Sequence, residues 1–208
     1  MIFMKANDLD GKFIVIEGID GSGLSTQSSE VLRRLNSTGN TTYKTKEPTD
    51  GPVGAILRLA LTHRIDITSG TFALLFAADR LDHLEKEIIP RLSEGTNVIC
   101  DRYCFSNFSY QGTDMDLEWL VEINKHCLIP DLTIFLDVDI LECKRRMAPR
   151  MREEYFEKLP KLTKVRDRFH YVIEYIKNKH DANIAIVNGN HAIDTVTDDI
   201  MSEIYRLF

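Results

Sequence analysis

The stretch Gly18-Ile19-Asp20-Gly21-Ser22-Gly23-Leu24-Ser25-Thr26 restricts this chain more than any other part of it. It follows the apolar run Phe13-Ile14-Val15-Ile16 and leads into a segment with helical spacing. The pattern is G-x-x-x-x-G-K-[ST] with Leu24 at the lysine position. Glycines at these places let consecutive backbone N–H groups turn toward a polyphosphate, and a helix N-terminus directly behind adds a favourable dipole. Gly18, Gly21, Ser22, Gly23, Leu24, Ser25 and Thr26 are therefore the candidate phosphate-contacting residues. A glycine-rich strand-to-helix turn without a ligand is the alternative, and such turns seldom also carry Gly21 and a Ser-Thr pair.

A strand over residues 12–17, buried on both faces, fits that loop best in a parallel sheet. Alternation continues along the chain. A helix is expected over 25–35, fraying near 37–40, then a short strand over 42–45 and a loop over 46–52 whose two prolines exclude helix interior. Helices are expected over 53–62 and 70–89. In the second, Leu74, Ala77, Leu81, Leu84 and Ile88 form an apolar stripe, Phe72, Phe76, Arg80 and His83 lie on another face, and Pro90 stops the helix. Asn97-Val98-Ile99-Cys100-Asp101 reads as a strand ending in the charged pair Asp101-Arg102, at the strand end where ligands bind in open α/β sheets. Helices over 103–111 and 115–126, a strand over 132–138 and a helix over 140–148 follow. Pro149 interrupts the basic run Lys144, Arg145, Arg146, Arg150 and Arg152, so this segment, about 144–158, reads as a mobile lid rather than only a solvated face. A helix over 162–179, a strand over 183–187 and a helix over 193–206 complete an α/β pattern with helices on both faces of a parallel sheet.

At 208 residues the chain fits one domain, 1–208, around one substantial core. Its formal net charge of -6 gives no general attraction to nucleic acid or anionic lipid, so neither a polynucleotide substrate nor a membrane is expected. Cys100, Cys104, Cys127 and Cys143 have neither zinc-site spacing nor the density of a disulfide scaffold. The N-terminus lacks a signal-peptide run and no later stretch reaches membrane-spanning length, so a cytoplasmic location is expected.

The phosphate loop, Lys46-Glu47-Pro48, Leu75-Phe76-Ala77-Ala78-Asp79-Arg80, Asp101-Arg102-Tyr103, Ser106-Asn107, Tyr110-Gln111, Pro130-Asp131-Leu132-Thr133 and Leu136-Asp137-Val138 occur in one order. As a set they resemble the thymidylate kinases, P-loop nucleoside monophosphate kinases, over residues 12–206. The resemblance implies a three-layer P-loop NTPase fold with a five-stranded parallel sheet, a small lid, a homodimer, and Mg²⁺-assisted transfer of the γ-phosphoryl group of ATP to dTMP. The loop residues then become the ATP site. Phe76 stacks on thymine and Arg80, one turn on, donates to the base edge. Asn107 hydrogen-bonds the pyrimidine and Tyr110 crowds the sugar at the 2′ position. Asp20 contacts the acceptor sugar or orients the arginines, Arg102 takes the acceptor phosphate as a bidentate fork, and Lys46 supports it as a point charge. Ser25 is a direct Mg²⁺ ligand, with Asp101 reaching the ion through water. Without the family pattern Phe76 and Tyr110 would pass as packing residues, Asn107 as a turn cap, and Asp20 as an Asx-turn stabiliser.

Leu24 cannot supply the charge that a P-loop lysine brings to the β- and γ-phosphates, so a lid arginine, Arg146 or Arg150, is expected to supply it. Two other readings stand beside a dTMP kinase. One is a related monophosphate kinase with relaxed base preference, and the other a non-catalytic nucleotide-binding protein.

Overall fold

The computed structural model describes residues 5–148, 159–180 and 182–208. Five parallel strands form one sheet in the order β2-β3-β1-β4-β5: β1 Phe13–Gly18, β2 Thr42–Lys46, β3 Asn97–Asp101, β4 Leu132–Asp137 and β5 Ile184–Asn188. Register pairs Ile16 with Asp101 on one side of β1 and Gly18 with Leu136 on the other. The chain reaches β2 and β3 on one side of β1 and then crosses to β4 and β5 on the other. The carboxyl end of β1 is thus the switch point where a ligand crevice opens.

Alternation along β1 distributes its side chains between two apolar layers. Ile14 and Ile16 join Val31 and Leu35 of α1 (Leu24–Ser37) with Val196, Ile200 and Ile204 of α9 (Ile193–Ile204). Phe13 and Val15 enter the larger layer, which is closed by Phe105 and Phe108 of α5 (Cys104–Tyr110), Leu120 of α6 (Leu117–Ile123) and Phe169 and Ile173 of α8 (Leu159–Lys179). Helices therefore cover both faces, as expected of the three-layer fold.

Two helical details differ from the sequence reading. α2 (Pro52–Leu61) is followed by α3 (Ser69–His83), which runs through a π-type turn at Leu84–Ile88 into α4 (Ile89–Ser93). Pro90 therefore does not stop the helix. The wider turn has already interrupted i→i+4 pairing where the proline's missing N–H falls, and Pro90 sits in the first turn of α4. The apolar stripe also shifts. Ala77, Leu84 and Ile88 are buried as expected, but Leu74 is 49% exposed and Leu81 only half-buried, while Arg80 and His83 are inside. The inward face of α3 contains polar residues because fixed partners satisfy them there.

α7 spans Ile140–Met147. Pro149, Arg150, Arg152 and most of the expected lid lie outside the described residues. Among the described residues no helix is long and apolar enough to cross a membrane.

Candidate active site

The loop after β1 has the backbone that its glycines permit. Gly21 has φ +85° and Gly23 φ +98°, in the left-handed region that side chains disfavour. A Cβ on Gly21 would also meet Cys143 O at 2.7 Å. Leu24, the first residue of α1, is 6% exposed and belongs to the same apolar layer as Ile14 and Ile16. Its side chain completes that packing.

A cavity of about 900 Å³ opens over this loop. It is also lined by Asn190 and His191, between β5 and α9, by Ile193 at the start of α9, and by Arg145 and Arg146 of α7. Arg146 lies against the loop: Nη1 donates to Ser22 O at 3.1 Å, Nη2 to Gly189 O at 2.7 Å, and Nε to Glu142 at 2.7 Å. Hydrogen bonds from Arg145 and Arg146 hold the Glu142 carboxyl down to a pKa of about 2. A second cavity, about 740 Å³, lies beside β2 and includes Lys46, Thr49 and His83. Ser25 and Asp101 line both cavities. Ser25 Oγ donates to Asp101 Oδ2 at 2.6 Å, which puts a hydroxyl and a carboxylate, the oxygen donors that Mg²⁺ prefers, at the junction.

Arg102 ties the loop to α5. Its φ of +71° is strained for an arginine. From that position Nη1 donates to Gly18 O at 2.8 Å and Ser106 Oγ at 3.1 Å, and Nη2 to Asp20 Oδ1 at 2.7 Å. Asp20 N donates to Tyr110 Oη at 3.1 Å, and the Arg102 guanidinium lies 5.5 Å from the centre of the Tyr110 ring. Burial raises the pKa of the Tyr110 hydroxyl. Asp20, Arg102 and Tyr110 are thus one unit.

Glu17 supports it from below. This carboxylate, fully buried in β1, accepts from Tyr103 N (2.9 Å), Ser106 N (3.0 Å) and Ser106 Oγ (2.5 Å). Burial pushes its pKa up to about 7 against the pull of Ser106 and Arg102. No role came to Glu17 or Ser106 from sequence reading, although a charge ending an otherwise apolar strand is a signal.

The residues assigned to the base line neither cavity. Arg80 is 1% exposed: its Nη2 meets Glu47 Oε2 at 2.7 Å, its Nη1 donates to Asn124 Oδ1 at 2.5 Å, and its guanidinium lies 5.0 Å from the Tyr103 ring centre. Asn107 is buried on α5, one turn before Tyr110, and bonded to Asn124 and Gln111. Phe76, a turn before Arg80, is half-buried and edge-on to Phe72 with ring centres 4.9 Å apart. Lys46 is exposed and ion-paired with Asp50 at 3.3 Å.

Glu47, His83 and Cys100 bring ligand-type atoms within 4.8 Å of one another. All three are already engaged, although the contact of buried Glu47 Oε2 is an ion pair and not a hydrogen bond. Arg80 neutralises Glu47, and His83 sits between Glu47 Oε1 (3.3 Å) and Thr45 Oγ1 (2.8 Å). Cys100 Sγ donates to Arg102 O at 3.0 Å, with its thiol pKa raised well above the ordinary value by burial. A cation here would compete with the Arg80 charge, so the cluster serves as a hydrogen-bonded floor under the ends of β2 and β3.

Known proteins of one family resemble the chain over most of its length. The family model for thymidylate kinase matches residues 16–200. A "Probable thymidylate kinase" of Pyrococcus abyssi is 40% identical over 199 residues, which are 92% of this chain and 95% of the relative. One from Pyrococcus horikoshii is 38% identical with the same coverage. A "Thymidylate kinase" of Desulfotalea psychrophila is 35% identical over 201 residues, 95% and 96% of the two chains.

Proposed function

The chain belongs to the thymidylate kinase family and phosphorylates dTMP with ATP, and we propose that the junction around Ser25, Asp101 and Arg102 carries that transfer. The observation that carries the assignment is Arg102. Its bonds to Gly18 O and Asp20 hold the acceptor arginine and the donor loop as one rigid piece. Phosphoryl transfer is mostly positioning and charge neutralisation, so a fixed distance between donor cradle and acceptor anchor is the requirement to meet.

ATP lies over Gly18–Thr26, its phosphates on the loop amides and its base toward Arg146 and Ile193. The monophosphate binds with its phosphate on Arg102, steadied by Asp20 and by Lys46 once released from Asp50. Phe76, Arg80 and Asn107 face the pyrimidine, and Tyr110 the deoxyribose. Ser25 and Asp101 would hold Mg²⁺, which supplies positive charge between the phosphates. Arg146, or Arg150 from a lid at about 144–158 of the single kinase domain, neutralises the charge that Leu24 cannot. Arg146 already touches the loop, and release from Gly189 O or Glu142 frees its nitrogens for phosphate.

The protein works as a homodimer in the cytoplasm. Four buried free thiols suit a reducing compartment, and α2 and α3 present Ile56, Leu59 and Leu74 outward as an apolar face. ADP release measured with a panel of monophosphates tests the assignment. dTMP is expected to give the highest kcat/KM, with dUMP next. A purine monophosphate in first place would overturn it.

A further inference from the structure

Arg80 of α3, Asn107 of α5 and Asn124, which follows α6, are each no more than 2% exposed and are joined by direct hydrogen bonds. A guanidinium can only donate hydrogen bonds. Arg80 Nη1 donates to Asn124 Oδ1 at 2.5 Å, so Asn124 faces it oxygen-first. The reverse would set a donor against a donor inside the core. Asn124 Nδ2 then donates to Leu120 O at 2.8 Å and to Asn107 Oδ1 at 3.0 Å. Asn107 in turn points its oxygen at Asn124 and its Nδ2 at Gln111 Oε1, 2.9 Å away. Glu47, on Arg80 Nη2 at 2.7 Å, anchors the other end. An isolated amide turns end for end at little cost. In this chain of bonds each has one orientation, set by the Arg80 charge.

The orientation matters because thymine and cytosine differ by an exchange of donor and acceptor. Thymine offers N3–H and an oxygen at position 4, whereas cytosine offers a bare N3 and an amino group. An Asn107 amide that matches one matches the other only when reversed. We infer that Asn124 is a positioning residue for base selectivity: by linking Arg80 to Asn107 it holds the Asn107 amide in the orientation that accepts thymine and opposes cytosine. This rests on the reading that Arg80 and Asn107 face the base. Asn124 itself, just beyond α6, has no free valence left for the nucleotide.

Asn124→Asp is the direct test. The new carboxylate still accepts from Arg80 but has no hydrogen for Asn107 Oδ1, and its second oxygen attracts Asn107 Nδ2, which reverses that amide. The ratio of kcat/KM for dTMP to that for dCMP is expected to fall about tenfold or more, the factor for one ordinary hydrogen bond made in one state and lost in the other. KM for ATP should not move. Asn107→Ala is the control. If it leaves the dTMP/dCMP ratio unchanged, Asn107 does not face the base and the site reading fails, taking the inference with it. If Asn107→Ala lowers the ratio and Asn124→Asp does not, only the inference is overturned. Should Asn124→Asp fail to fold, side-chain amide exchange by NMR on the unmodified protein decides. Slow exchange of the Asn107 and Asn124 NH₂ protons supports a locked orientation, and exchange at the rate of exposed amides overturns it.

Discussion

Leu24 makes no electrostatic contact with a phosphate, and its side chain is committed to the apolar layer shared with Ile14 and Ile16. The charge deficit in the loop is therefore a consequence of packing as well as of chemistry, and cations on other elements must make it good. For the acceptor phosphate the cation we propose is Arg102. Arg102→Ala should cost about 2–5 kcal/mol in kcat/KM for dTMP, the range for truncating one partner of a buried charge pair, and leave ATP affinity nearly unchanged. Isothermal titration with each nucleotide separates the two effects, and loss of ATP binding with normal dTMP binding would reverse the site assignment. Glu17, beneath Arg102, gives a stability prediction. Its folded-state pKa of about 7 exceeds the ordinary 4.5 because of burial. Between these values the unfolded chain releases a proton that the folded chain keeps, so the Glu17 contribution to stability falls as pH rises, by about 3 kcal/mol in all, and is flat above 7. Glu17→Gln does not titrate. Urea unfolding should therefore show the stability of the variant, relative to the unmodified protein, improving by about that amount from pH 4.5 to about pH 8, whereas a constant difference would mean that Glu17 keeps its ordinary pKa.

Among the elements, α3 departs most from its sequence pattern. The central strands β1, β3 and β4 were legible because each is a largely apolar run, buried almost throughout, whereas β2, Thr-Tyr-Lys-Thr-Lys, was located by the turn-rich segments on either side of it. Helical periodicity located α3 but misjudged its inward face. Arg80 and His83 go inside because Glu47, Asn124 and Thr45, distant in sequence, are waiting there, and no local pattern announces such partners. Pro90 was misread for a related reason, since the π-type turn before it is a tertiary adjustment that residue preferences do not reveal. The outward turn of Leu74 has its own consequence. Exposed like Ile56 and Leu59 of α2, it is assigned to the proposed dimer surface, and on that proposal Leu74→Asp should convert a dimer into a monomer in sedimentation velocity without lowering the far-UV helical signal. A variant that stays dimeric would move the dimer surface away from α2 and α3.

For the whole molecule, the β2-β3-β1-β4-β5 order opens one crevice at the end of β1, and the donor loop, Asp101 and Arg102 are placed at it by strand register alone. This part of the site was readable because its residues end strands. Asn124 and the turn carrying Asn190 and His191 escaped notice, and Ser106 was seen as part of a motif but given no role, because they act by bonding other site residues or by closing a wall of the cavity. On this reading phosphoryl transfer proceeds without a lysine in the loop. A single-turnover quench with limiting [γ-³²P]ATP and excess dTMP tests it most directly. Label should appear in dTDP with the unmodified chain, and replacing the responsible arginine, Arg146 or Arg150, by alanine should slow its appearance by about 10³ to 10⁵. The contrary result is an unmodified chain that binds both nucleotides and transfers no label, while Leu24→Lys restores transfer.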